Sequence, residues 1–216
     1  MPRETITEKK ARAGRVIELL KRHYPDARCS LDFTTPHQLL VATVLSAQCT
    51  DERVNQVTPE LFRKYPSVKA FAEADLQTLE KDIYATGFYR NKARAIVESA
   101  RQLVERHGGE IPRKLDELVA LNGVGRKTAS VILGAGFGLA EGVVVDTHVA
   151  RISRLLRFTA QSDPLKIERD LMKIIPREDW IAFAHLLIYH GRAICVARRP
   201  RCAECPLAPH CPSATF

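Results

Sequence analysis

The sequence predicts an all-α protein on three observations: a helical apolar period along nearly the whole chain, repeated cap residues, and a scarcity of β-branched runs. The clearest stripe lies in "NKARAIVESARQLVERHGG", where Ala93, Ile96, Val97, Ala100, Leu103 and Val104 share a face and Gly108 offers a stop. Another covers 114 to 121, with Leu115, Leu118, Val119 and Leu121. A third, in "THVARISRLL", carries Val149, Ile152, Leu155 and Leu156. Thr35 before Pro36, Asp51 before "ERVNQVTPELF", Ser67 before "VKAFAEA" and Asp163 before Pro164 are expected N-caps. About ten helices follow from these signals. The run "VVV" at 143 to 145 is too short and isolated to make a sheet.

A chain of 216 residues can bury its core as one large domain or two small ones, with no need of disulfides. The formal charge of +8 and pI of about 9.3 favour a polyanionic partner, because basic side chains displace counterions from phosphates. The N-terminal "MPRETITEKKARAG" lacks the apolar core of a signal peptide, and no apolar run reaches the roughly 20 residues of a membrane span. A soluble intracellular protein with no membrane partner is therefore expected. In that setting cysteines serve as metal ligands or thiols rather than disulfides. Of six cysteines, Cys29 and Cys49 stand apart and are expected to be buried small hydrophobes.

The stretch "LNGVGRKTAS" at 121 to 130 has the ingredients of a phosphate-holding loop. It is not a nucleotide P-loop, since Arg126 separates Gly125 from Lys127 and the preceding segment has a helical period rather than a strand. Instead "LNGVG" should join two helices by a tight turn, with positive φ at both glycines and Val124 packed between the helices. Such a turn presents amide N–H groups at a helix N-terminus, where a backbone phosphate binds without regard to base sequence. Lys127 falls in the first turn of the second helix beside Arg126. Both surroundings disfavour an ammonium and favour the neutral amine that a nucleophile requires, while a nearby carboxylate would push the other way, so the sequence leaves the balance open. Asp146 stands before an amphipathic helix as an N-cap that keeps its carboxylate in place.

The other four cysteines, Cys195, Cys202, Cys205 and Cys211, follow C-x6-C-x2-C-x5-C. Four thiolates suit tetrahedral zinc or an iron–sulfur cluster, and the presence of a single C-x2-C pair leans toward the cluster. Arg198, Arg199 and Arg201 crowd the same segment, so a group tying it down would hold cations toward phosphates.

"LNGVGRKTASVILGAGFG", then "VVVDTHVARISRLL", then "HGRAICVARRPRCAECPLAPHC" resemble the endonuclease III family of helix-hairpin-helix DNA repair glycosylases, in sequence and in order. Asn122 replaces the family's usual proline in the hairpin. The resemblance implies two helical lobes: a barrel over 29–139 containing the hairpin at about 114–135, and an iron–sulfur lobe of 1–28 plus 140–216. Lys127 would belong to the first lobe and Asp146 to the second, with the active site in the cleft.

It further implies a [4Fe–4S] cluster on the four cysteines, a monomer acting on damaged double-stranded DNA in the cytoplasm, and removal of oxidised pyrimidines with AP lyase cleavage. Lys127 would attack C1′ of the damaged nucleotide with help from Asp146. A base within a duplex must be flipped out first. Gln48 matches the glutamine that fills the vacated space, and Phe88 stands where the family usually has a leucine wedge. Leu121, Gly123, Val124, Gly125, Arg198 and Arg199 complete the expected DNA contacts. Adenine glycosylases carry a serine where Lys127 stands and a glutamate where Thr43 stands, and mismatch-specific thymine glycosylases also lack the lysine. A monofunctional glycosylase and a non-catalytic helix-hairpin-helix DNA-binding protein with a cluster as scaffold are the alternatives. His148 either orients Asp146 or packs.

Overall fold

The computed structural model describes residues 4–215, so residues 1–3 and 216 of the expected second lobe lie outside it. The chain forms α1 (Ile6–His23), α2 (Pro36–Leu45), α3 (Asp51–Lys64), α4 (Val68–Ala72), α5 (Leu76–Asp82), α6 (Tyr89–His107), α7 (Leu115–Val119), α8 (Arg126–Val131), α9 (Thr147–Leu155), α10 (Pro164–Met172) and α11 (Trp180–Ala193). Residues 143 to 145 form no strand. No helix among the described residues is long and apolar enough to cross a membrane.

Two compact units divide the chain, one of 29–141 and one of 1–28 with 142–216. The first holds α2 to α8 around Leu39, Leu45, Phe71, Leu79, Ile96, Leu103, Leu118 and Ile132. The second holds α1 and α9 to α11 around Val16, Leu20, Val149, Ile167, Phe183 and Leu187.

Local chemistry sets the helix ends. Thr35, Ser67 and Asp163 each accept the amide three residues on, as expected, and Gly108 closes α6 at φ 60. Asp51 does not cap α3. Thr50 does, accepting from Arg53 N, while Asp51 becomes the first helical residue, where a carboxylate complements the helix dipole. Two stripes are narrower than their apolar letters suggest, since Val104 is 38% and Val119 42% exposed. Cys29 and Cys49 are half-buried and packed against the core rather than sealed in it.

Candidate functional site

The hairpin is built by α7, the turn and α8. Gly123 takes the expected positive φ, 73°. A β-carbon there would lie 2.6 Å from Cβ of Ala95 on α6, so both conformation and space demand glycine. Gly125 differs from expectation: it is extended at φ −82° and ψ 168°, serving as N-cap of α8 with no side-chain cap. Only one left-handed residue is needed because the helix start itself completes the turn. The amide of Val124 donates to Leu121 O at 3.2 Å and that of Asn122 to Gln102 Oε1 at 2.7 Å. Leu121 and Val124 bury their side chains, so they brace the turn from below. Gly123 and Gly125 are the exposed positions from which main chain can meet a phosphate.

Lys127 follows directly, exposed in the first turn of α8. After Val131 the helix loosens into a π-helical segment, Ile132–Gly136, which the sequence did not announce. A β-carbon on Gly136 would be 3.4 Å from Leu39 Cδ2, which fits the close packing of that segment on α2.

Gln48 and Phe88 share an unusual backbone. Both have positive φ, 53° and 48°, and both are exposed, Phe88 to 62%. A left-handed residue bearing a β-carbon is disfavoured and persists only where its surroundings hold it. Phe88 is therefore not core packing. The segments that lead to them are joined by Lys92, which sequence reading passed over. It is 5% exposed, and its ammonium donates to Leu45 O at 2.8 Å and Thr86 O at 2.7 Å. Its period was legible: Lys92, Ile96, Ser99 and Leu103 form one buried face of α6.

In the other unit, Asp146 caps α9 as expected, accepting from Val149 N at 2.8 Å, and is half-buried. His148 packs beneath α11, where a β-carbon on Gly191 would lie 2.5 Å from its Nδ1. That nitrogen is buried with no hydrogen-bond partner among the described residues. Burial holds the His148 pKa down, with the Asp146 charge opposing.

Cys195, Cys202, Cys205 and Cys211 line one pocket, walled by Ile152, Leu155, Leu156, Ile194 and Leu207. No three His, Cys, Asp or Glu side chains among the described residues converge on a single ion-sized point. Burial pushes the Cys195 thiol up to about 11, with Arg151 pulling it back. A thiolate here thus calls for a bound cation to compensate it. Arg151 of α9 donates to Cys195 O, and Cys211 Sγ lies 3.8 Å from Leu155 O, so the helix capped by Asp146 also braces the cysteine pocket. His190 Nε2 sits 3.5 Å from Cys205 Sγ while its Nδ1 meets Tyr24 Oη at 3.1 Å; burial holds this imidazole at about 4. Arg198 and Arg199 are exposed on the loop. Arg201 instead turns back to Ala193 O and pairs with Glu204 at 3.5 Å.

An all-helical fold with a glycine hairpin leading into a lysine, and four cysteines around one pocket, defines a helix-hairpin-helix DNA repair protein. The model of the HhH-GPD superfamily of base excision DNA repair proteins matches residues 41–177, and that of the iron–sulfur binding domain of endonuclease III matches 195–211. The chain belongs to the endonuclease III family. Endonuclease III of Synechocystis sp. is 56% identical over 209 residues, covering 97% of this chain and 95% of the relative, and that of Escherichia coli K12 is 37% identical over 202 residues, covering 94% and 95%. Solved structures of a non-covalent endonuclease III–DNA complex and of a trapped endonuclease III–DNA covalent intermediate each match with a TM-score of 0.89 at 44% identity, covering 95% of this chain and 96% of theirs. Residues 195–211 thus form an iron–sulfur binding segment.

Proposed function

We propose that this chain removes oxidised pyrimidines from duplex DNA, with Lys127 as the nucleophile and Asp146 as the carboxylate that steadies the sugar. It is a bifunctional DNA glycosylase and AP lyase of base excision repair. The observation that carries the assignment of roles is the placement of Lys127: an exposed amine in the first turn of the helix that the glycine turn opens. A phosphate held at Gly123 and Gly125 brings the adjoining sugar to that amine.

Lys127 Nζ forms a bond to C1′, and the C1′–N bond breaks with its electron pair leaving on the base. The carboxylate of Asp146, fixed by the Val149 amide, stabilises the positive charge that develops on the sugar ring. The departing base takes up one amine proton, and the C1′–O4′ bond then breaks with its electron pair going to O4′, which takes up a proton, leaving a protonated imine between Lys127 Nζ and C1′ of the opened sugar. Loss of a C2′ proton drives β-elimination, which expels the 3′ phosphate. A serine could not form that imine, which separates this chain from its monofunctional relatives.

Gln48 fills the space left by the flipped nucleotide, and Phe88 wedges the opposite strand with a flatter face than leucine has. Arg198 and Arg199 contact phosphates of either strand.

The cysteine pocket fits a [4Fe–4S] cluster, with Cys195, Cys202, Cys205 and Cys211 as ligands. Four thiols lining one cavity, in a segment that matches the iron–sulfur binding domain of endonuclease III, support a cluster over zinc. When bound, the cluster would supply a rigid tie for the loop bearing Arg198 and Arg199, while the bond breaking falls to Lys127 and Asp146. Iron content with visible absorbance of the purified protein separates it from zinc. We place the enzyme in the cytoplasm as a monomer.

A nicking assay on a duplex with one abasic site tests the reading. Intact protein should cut 3′ to the site and Lys127→Gln should not. Failure of the intact protein would leave a DNA-binding scaffold, and cutting by Lys127→Gln would assign the amine elsewhere.

A further inference from the structure

Lys92 is a costly residue to bury. An ammonium taken out of water needs strong acceptors, and a methionine would fill the same space at no such cost. Its two acceptors are informative. Leu45 ends α2, and Gln48 follows it across Ser46 and Ala47; Thr86 ends a short 3-10 turn, and Phe88 follows it across Gly87. One nitrogen therefore joins the segments that lead into Gln48 and Phe88, both left-handed and exposed. The main chain adds a third link, since Lys92 N donates to Phe88 O at 3.1 Å. The Leu45 carbonyl belongs to a helix C-terminus, where a cation is favoured.

We infer that Lys92 is a positioning residue for base extrusion: its ammonium, by holding the carbonyls of Leu45 and Thr86, fixes the two turns that present Gln48 and Phe88 to the duplex. The inference rests on the reading that these two side chains enter DNA. Lys92 itself touches no substrate. Its effect runs through two backbone segments, so it should vanish when the side chains they carry are gone.

A double-mutant cycle tests this on the full-length protein. The probe is a duplex holding an oxidised pyrimidine beside 2-aminopurine, whose fluorescence rises as the neighbouring base unstacks. Lys92→Met should slow that rise about tenfold in the otherwise intact enzyme, as expected for two buried carbonyls left without donors. In a Gln48→Ala/Phe88→Ala background the same substitution should change the rate less than about twofold, because coupled residues are not additive. Equal slowing in both backgrounds would make Lys92 a general packing residue, and no slowing in the intact background would also overturn the proposal. Should circular dichroism show Lys92→Met unfolded, Lys92→Gln, whose shorter side chain does not reach both carbonyls as the ammonium does, goes through the same cycle, with slowing expected in the intact background only. If Gln48→Ala/Phe88→Ala alone leaves the rise at full rate, the reading of those two residues falls, and the inference falls with it by a distinguishable route.

Discussion

A β-carbon placed on Gly123 would lie 2.6 Å from the β-carbon of Ala95, while one placed on Gly125 meets nothing within 4 Å. The two glycines of the hairpin therefore do different work. Gly123→Ala should destabilise the folded protein by about 2 kcal/mol, from left-handed strain and the collision with α6. Gly125→Ala should leave the unfolding midpoint nearly unchanged yet weaken binding to any duplex, because its new methyl faces the phosphate. Thermal unfolding beside a binding isotherm checks both; equal destabilisation by the two variants would contradict the assignment.

Asp146 has two separable duties. Asparagine caps a helix as well as aspartate does, so Asp146→Asn should cost less than about 0.5 kcal/mol of stability. Without the charge, base excision should still slow by roughly a hundredfold. Asp146→Ala should add a stability loss of about 1 kcal/mol. Single-turnover excision rates and unfolding curves together distinguish the cap from the chemistry.

Arg198 and Arg199 are exposed on the cysteine loop, whereas Arg201 is tied to Ala193 O and Glu204. Replacing Arg198 and Arg199 with glutamine should weaken binding to all sequences alike and reduce the slope of log K against log salt by about 1 to 2. Unchanged slopes would remove them from the phosphate contacts.

His37 in α2 is packed edge-on against the ring of Phe71 at 5.2 Å, and burial holds it at about 4 against an ordinary 6.5. Between those values the unfolded chain takes up a proton that the folded chain refuses. Its contribution is thus fully present above about pH 6.5 and is lost as pH falls toward 4. His37→Phe should flatten the pH dependence of the unfolding midpoint across that window, and an identical profile would show that another group governs it.

Much of the fold was legible because helix chemistry is local. Stripes, caps at Thr35, Ser67 and Asp163, and the stop at Gly108 each depend on residues within a turn or two. Where two adjacent residues could cap, as at Thr50 and Asp51, local chemistry offered both and the chain used the hydroxyl. Val104 and Val119 sit at the margins of their stripes, and burial there depends on how wide the facing element is. The hairpin and the four cysteines announced themselves by spacing. The left-handed backbone at Gln48 and Phe88 did not, nor did the carbonyls that Lys92 meets from its legible place on the buried stripe of α6, because these arise from packing between α2 and α6, which are distant in sequence.

The central claim is that Lys127 forms a covalent bond with the sugar, and borohydride reduction tests it most directly. Protein mixed with a duplex containing an oxidised pyrimidine and reduced with borohydride should give a stable protein–DNA adduct, with the attachment mapping by peptide mass to Lys127. Lys127→Gln should give none. Absence of an adduct from protein that excises the base, or an adduct mapped to another lysine, would contradict the account.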